Sequence, residues 1–464
     1  MTQMNIFEMM YDDYKITKPI RLIEFFAGYG SQAFALKYLG VPFEHWRICE
    51  WAVPSIQAYK DAHFTNDNID YSKCFTKEYI IEFLYHSGIS MDYNQPMKLE
   101  QIKRMSEEQL RTIYNNILAT NNLVNIQKVK GQRLDIVEQD KYTYVLTYSF
   151  PCQDLSLAGK GKGMSRNGGT RSGMLWEVER ILDECNELGT LPNCLLMENV
   201  PQVIGEKNIK DFQSWREKLE SLGYSNYIEV LNAKHYDIPQ NRERAFMISI
   251  LGEYNYTFPK RIPLDKKLKD MLEKNVNEKY YLSDKQINQV IHWNAQQEPL
   301  ETLGKPISPT LTTRSGAYAA GMVLTSNLEQ DEEKEVGQEL LKIKEATKKG
   351  YKEAYDGDVI DISGRMETHR GTVQKGMAQT IKTSIDVGVV VKDEETPLKR
   401  ELCNKIISGL RIRKLTPKEC FRLMGVKDED YENIAKNQSN SKLYHLAGDS
   451  IVVNVLMGIF KEMM

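Results

Sequence analysis

Cys152 follows the most apolar run of the chain, Tyr144–Phe150, within the tripeptide Pro151-Cys152-Gln153. The C-terminal end of a strand is where open α/β sheets place ligands and reactive groups, although a lone buried cysteine is more often a small apolar filler. Its neighbours change that balance. A second apolar run, Cys194–Met197, ends in Glu198 and Asn199, so a carboxyl and an amide emerge at the same sheet edge. Burial would keep a proton on Glu198, ready for donation to a ring nitrogen, whereas an acid there could instead cap a helix. Gln240-Asn-Arg-Glu-Arg244 precedes a third run, Ala245–Ile250. Alternate strand residues share a face, so Arg242 and Arg244 can turn together toward a phosphate or carboxylate, or else form salt bridges on a surface strand.

A second constellation suits a nucleoside. The run Arg21–Phe26 leads into Phe26-Ala-Gly-Tyr-Gly30 and then a helical pattern over Gln32–Leu39. Gly28 and Gly30 allow a ligand to approach backbone N–H groups, but the third glycine of a dinucleotide fingerprint is missing, which favours a ligand without phosphates. Past the next strand, Glu50 can grip ribose hydroxyls and Trp51 can stack on a purine. Asp135-Ile136 would complete an adenosine pocket if the strands are adjacent. Downstream of Cys152, Gly159-Lys-Gly-Lys-Gly163, Arg166, Gly168, Gly169 and Arg171 suggest a loop able to close over a polyanion.

These groups need a scaffold, and the order of the elements supplies one. Strand candidates at Arg21–Phe26, Trp46–Cys49, Tyr144–Phe150, Cys194–Met197, Tyr227–Leu231 and Ala245–Ile250 alternate with helical stretches, the pattern of a doubly wound, mostly parallel α/β sheet. Residues of about 65 to 130 are polar and helix-prone, an insertion outside that sheet with no chemistry evident in it. From 252 to 410 the composition shifts to Gly, Thr and Lys with a charged stretch over Glu329–Glu353, the mark of a second domain. Within it Ser308–Arg314 and Ala378–Thr383 share a Thr-rich pattern that reads as a degenerate repeat. The 464 residues are 41% hydrophobic and 27% charged, ordinary for a globular chain of more than one domain. Seven scattered cysteines without C-x-x-C spacing argue against a disulfide framework or a structural zinc site. The start, Met1–Lys18, has neither a basic end nor an apolar stretch, so neither a leader nor a membrane segment is expected, and the cytoplasm is the expected compartment. A net charge of −3 leaves the partner open, because phosphate binding depends on local patches.

In this order, nine blocks resemble the DNA (cytosine-5)-methyltransferase family of prokaryotic or phage type. They are Phe26-Ala-Gly-Tyr-Gly30, Glu50-Trp51, Asp135-Ile136, Pro151-Cys152-Gln153, Arg171-Ser-Gly-Met-Leu175, Glu198-Asn199-Val200, Gln240-x-Arg242-x-Arg244, Arg413-x-Leu-Thr-Pro-x-Glu-Cys-Phe-Arg-Leu423 and Gly448-Asp-Ser-Ile-Val452. The resemblance implies a Rossmann-like methyltransferase fold and S-adenosylmethionine as cofactor, held by Phe26, Gly28, Gly30, Glu50, Trp51, Asp135, Ile136, Leu175 and Ser450. It gives catalysis to Cys152 with Pro151, Glu198, Arg242 and Arg244, and requires no metal. Cys152 would add to C6 of a cytosine flipped out of double-stranded DNA, Glu198 would act at N3, and the methyl group would go to C5. The family usually has Asn where this chain has Asp449. The domains implied are a catalytic one over 1–251 and 411–464 and an inserted target-recognition domain over 252–410. The setting implied is a monomer, with a cognate restriction endonuclease acting separately. Thr312, Thr313, Arg314 and Thr383 are candidates for the DNA-reading surface. Two rivals are a transfer-RNA cytosine-5 methyltransferase on the same fold and an inactive DNA-binding homologue. A recognition domain of about 150 residues weighs against the first, and Cys152, Glu198 and Arg244 standing together weigh against the second.

Overall fold

The structure, a computed structural model, describes residues 11–152, 154–155, 163–166, 171–283, 286–287, 340–345, 347–362, 373–381, 387–392, 400–402, 405–407 and 410–464. The chain divides into two compact units, one of Met1–Asn275, Met377–Ile385 and Leu415–Met464, the other of Val276–Gly376 and Asp386–Lys414. The second unit therefore begins later than the composition break at 252.

In the first unit, β1 (Ile20–Phe25), β2 (Phe43–Cys49), β3 (Thr143–Tyr148), β4 (Cys194–Asn199), β5 (Tyr224–Asn232), the two-residue β6 (Gln240–Asn241) and β7 (Glu243–Leu251) follow in chain order. All except β6 form one sheet in the order β2-β1-β3-β4-β7-β5. β2, β1, β3 and β4 are parallel, while β7 runs antiparallel to both β4 and β5. β1, β3 and β4 are buried at every position, which is why they read as continuous apolar runs rather than alternating ones. Helices α1 (Ser31–Leu39), α2 (Val53–His63), α3 (Lys77–Ser87), α4 (Leu99–Lys103), α5 (Glu107–Ala119), α6 (Leu175–Glu187) and α7 (Ile209–Ser221) fill the crossovers. The connection from β1 leads outward to β2 and that from β3 leads the other way to β4. The winding therefore reverses between β1 and β3, which opens a crevice at their C-terminal ends.

The insertion builds its own core: Ile80, Leu84, Ile102, Leu110 and Ile117 from α3, α4 and α5 cluster with Ile56 of α2. It then returns to the sheet edge, where Leu123 N donates to Ile48 O at 2.8 Å. The span Asn440–Glu462 is apolar and long enough to cross a membrane. It consists of two helices, Asn440–Asp449 and Val453–Glu462, and 72% of its most apolar stretch is buried inside the protein. In the second unit, Val359–Asp361, Val387–Lys392 and Leu410–Lys414 form an antiparallel sheet, and Leu341–Lys344 pairs with Tyr351–Ala354. Leu282, Ile287, Leu341, Ile360, Val390 and Ile412 supply its core.

Ala378–Gln379 pairs with β6, inside the first unit. Ala378 and Gln379 therefore brace the scaffold of the first unit and are not part of the second. Ser308–Arg314, which includes Thr312, Thr313 and Arg314, lies outside the described residues, as does Thr383.

Glu24 in the middle of β1 is completely buried, with Tyr59 Oη donating to its Oε2 at 2.5 Å, and burial pushes its carboxyl up to about 7. Between the unfolded value near 4.5 and this folded value the native state holds a proton that the unfolded chain has lost. Stability must then fall as pH rises through that window and level off above it, by about 3 kcal/mol in all for this group. Glu24→Gln keeps an acceptor for Tyr59 and removes the charge. The variant is expected to match the wild type near pH 5 and to be about 2–3 kcal/mol more stable at pH 8 in urea unfolding. A difference between the two proteins that does not change with pH would contradict this.

Candidate active site

The strand ends are level at the crevice, with Phe25 opposite Tyr148 and Tyr148 opposite Met197. Because β7 is antiparallel to β4, Asn199 faces Ala245, and Arg244 at the start of β7 arrives beside Glu198 at the end of β4. A cavity of about 260 Å³ lies there. Phe26, Gly28, Glu50, Trp51, Pro151, Cys152, Glu198, Arg242, Arg244 and Ser450, all singled out from the sequence, line it together.

The nucleophile side is built by hydrogen bonds onto the segment after β3. Asn199 Nδ2 donates to Phe150 O at 2.9 Å, Ser172 Oγ to Pro151 O at 2.7 Å, and Leu155 N to Cys152 O at 3.0 Å. Arg244 Nε lies 2.9 Å from Glu198 Oε1, and Ser149 Oγ donates to Glu198 Oε2. Glu198 thus has a guanidinium and a hydroxyl beside it rather than a purely apolar surround, and it caps no helix. Asn199 Oδ1 accepts from Val200 N at 2.9 Å. Burial pushes the Cys152 thiol up, the carboxylates of Glu198 and Asp449 add to this, and the cations of Arg244 and Arg242 oppose it. The thiol is therefore protonated at neutral pH and must give up its proton to attack. Gln153 and most of the glycine-rich stretch after it, Gly159–Lys162, Gly168 and Gly169, lie outside the described residues. Of its two arginines, Arg166 makes a two-pronged ion pair with Glu179 at 2.5 and 2.7 Å, and Arg171 Nη1 donates to Asn94 Oδ1 at 2.8 Å.

On the other side, Phe26, Gly28 and Gly30 all have positive φ (58°, 57° and 81°). A Cβ on Gly28 would meet nothing within 4 Å, so this turn leaves open space against its backbone, as a bound nucleoside requires. Glu50 is clamped by Gly28 N at 3.0 Å and Ala52 N at 2.7 Å, and its backbone is held by Asn122, so the carboxylate is fixed at the wall of the cavity. Burial raises it to about 7. Gly30 does not line the cavity. It lets the turn pack on α2, since a Cβ there would lie 2.4 Å from His63 Nε2 and 2.7 Å from Tyr59 Cε2. Gly30→Ala is expected to destabilise the protein by about 2–4 kcal/mol in denaturant unfolding, through overpacking and a strained φ together. A loss under about 0.5 kcal/mol would show that the turn relaxes freely.

Other expectations need correction. Asp135 and Ile136 do not reach the cavity: Asp135 Oδ2 pairs with Arg47 Nη2 at 2.7 Å, and Ile136 is buried in the core. Asn125 and Ile126 take that wall, because Leu123 pairs with Ile48 and leads the chain past the end of β2. Their polar-then-Ile pattern ten residues upstream was the available signal. Leu175 packs in the core, and Met174 faces the cavity instead. Arg242 is largely committed to backbone. Nη1 donates to Ile381 O at 2.9 Å, and Nη2 donates to Gly448 O at 3.0 Å and Ser450 O at 2.6 Å. Burial and nearby Arg244 lower it to about 9, so it remains a cation at neutral pH and ties the segment bearing Ser450 into the site. The insertion, in which no chemistry was expected, contributes Tyr93, Asn94, Val124, Asn125, Ile126 and Gln127 to the cavity wall. Asp449 also lines it, with Oδ2 3.1 Å from His445 Nδ1.

Residues 101–464 match the family model described as C-5 cytosine-specific DNA methylase. The chain is 41% identical over 274 residues to the orphan methyltransferase M.SssI of Spiroplasma monobiae, covering 58% of this chain and 68% of that one. It is 29% identical over 450 residues to the type II methyltransferase M2.ScrFI of Lactococcus lactis subsp. cremoris, covering 96% and 99%. Among solved structures it is similar to the Entamoeba histolytica methyltransferase EhMeth, with TM-score 0.54 and 12% identity, and to Dnmt2 of S. pombe, with TM-score 0.52 and 14% identity. Each match covers 96% of this chain and 98% of the other. At such identities the structural likeness concerns the fold.

Proposed function

The chain belongs to the C-5 cytosine-specific DNA methylase family, whose members methylate C5 of cytosine in DNA with S-adenosylmethionine, and from that premise we propose that Cys152 is its nucleophile. The observation that carries this is the meeting of Cys152 with the Glu198–Arg244 pair in the same cavity as the Gly28 turn and Glu50. The open space against Gly28, the clamped Glu50 carboxylate and the Trp51 ring fit the nucleoside end of the cofactor.

Cytosine C5 is a poor nucleophile until the ring is activated. The Cys152 thiol releases its proton to solvent as its sulfur bonds to C6, Glu198 delivers to N3 a proton that it takes back when the ring is restored, and the electron pair so displaced collects at C5. S-adenosylmethionine, when bound, supplies the electrophilic methyl group that C5 takes up. Loss of the C5 proton to solvent then expels Cys152 and restores the ring. Arg244 and Ser149 hold Glu198 in register, and Asn199 fixes the backbone that leads to the thiol. None of this is possible within a stacked duplex, so the base is flipped out, at a cost of a few kcal/mol. The second unit serves as the target-recognition domain for a specific double-stranded sequence. The protein acts as a monomer in the cytoplasm, alongside a separate cognate endonuclease in a restriction-modification setting.

Labelled methyl transfer to duplex DNA and to transfer RNA, followed by bisulfite sequencing of DNA from cells expressing the protein, tests this reading. Methylcytosine at one consensus sequence is expected. Label in transfer RNA and none in DNA would overturn it in favour of the RNA enzyme.

A further inference from the structure

The insertion turn Ser90–Gln95 is stitched to three parts of the catalytic unit that are distant in sequence. Ser90 N donates to Trp51 O at 2.8 Å, and Ser90 O accepts from Val53 N at 2.8 Å, which ties the turn to the chain leaving β2. Asp92 Oδ1 accepts from Asn94 N at 2.9 Å and Gln95 N at 3.3 Å. Between these residues Tyr93 sits at φ 64°, a left-handed conformation that costs a residue with a side chain free energy unless its surroundings enforce it. The Tyr93 ring stacks on His445 with centroids 4.0 Å apart and planes at 18°, and Lys442 Nζ donates to Met91 O at 3.2 Å. Asn94 Oδ1 accepts from Arg171 Nη1 at 2.8 Å, and the backbone N–H of Arg171 donates to Asp154 Oδ2 at 2.8 Å, two residues past Cys152. Tyr93, Asn94, Arg171 and His445 all line the cavity.

We propose that this turn carries two positioning residues for methyl transfer: Tyr93, which closes the wall of the cofactor half against His445, and Asn94, which holds the Cys152 segment through Arg171 and Asp154. The proposal rests on the reading of the cavity as a methyl-transfer site. One strained turn thereby presents a ring to one half of the cavity and an amide to the other.

The two residues act on different constants, so the variants separate. Tyr93→Ala is expected to weaken binding of S-adenosylhomocysteine, measured calorimetrically without DNA, by about tenfold, with a smaller effect on kcat. Asn94→Ala is expected to act mainly on kcat, lowering it about tenfold because the nucleophile is less well placed. It is also expected to raise the alkylation rate of Cys152 by iodoacetamide about threefold with no substrate present, a readout that a merely structural role does not move. Asn94→Asp retains the acceptor for Arg171 and is expected to restore both. Unchanged constants in both alanine variants, or a parallel loss in Kd and kcat in both with no change in alkylation, would overturn the proposal. Absence of DNA methylation by the wild type would sink the methyl-transfer reading instead, while the binding and alkylation measurements would still decide the role of the turn.

Discussion

Cys152→Ser is expected to lower methyl transfer by about four orders of magnitude or more, because a serine hydroxyl ionises far less readily than a thiol and is a far weaker nucleophile than a thiolate. The replacement is nearly isosteric, and the segment carrying it is held by backbone bonds from Asn199, Ser172 and Leu155 that the side chain does not make. Folding and cofactor binding should therefore survive, which confines the loss to kcat. A second measurement identifies the bond. Duplex DNA with 5-fluorocytosine at the target cannot lose a proton from C5, so the wild type should form an adduct stable to denaturing electrophoresis and the variant should form none. A wild-type protein that methylates DNA yet forms no adduct would remove Cys152 from the chemistry.

Glu198→Gln is expected to lower kcat by about 10²–10³-fold, the usual scale for removing a positioned proton donor. The amide oxygen can still accept from one of the two partners, but the amide nitrogen then faces the other, and no acidic proton is left for N3. Glu198→Ala goes further. It leaves the Arg244 guanidinium, only 16% exposed, without its carboxylate, and should cost stability by about 3 kcal/mol as well as activity. Steady-state kinetics at saturating DNA and cofactor, with thermal unfolding of each variant, separates the effects. If Glu198→Gln keeps a kcat within about threefold of the wild type, proton donation by this residue is not part of the mechanism.

The sequence by itself determined which residue types end the strands. Continuous apolar runs mark strands buried on both faces, and the groups directly after such runs must emerge at one edge of a parallel sheet. Phe26, Glu50, Cys152 and Glu198 were legible for that reason, because each lies within four residues of a strand end, where geometry is local. Residues whose positions depend on a return from far along the chain were legible only in part. Asp135 was the candidate read from the sequence, whereas the pairing of Leu123 with Ile48 places Asn125 at the cavity and leaves Asp135 against Arg47. Arg242 and Arg244 share a pattern in the sequence that favours Arg244 for the base, and the antiparallel direction of β7 with the return of Ile381 and Ser450 gives Arg242 to backbone carbonyls and Arg244 to Glu198. Tyr93 and Asn94 carried no recognisable pattern, since their roles arise from partners 352 and 77 positions away. Short-range order follows from burial and periodicity written in the residues. Which distant segments share a cavity is decided by packing of the whole sheet and its insertions, and only the tertiary structure supplies that.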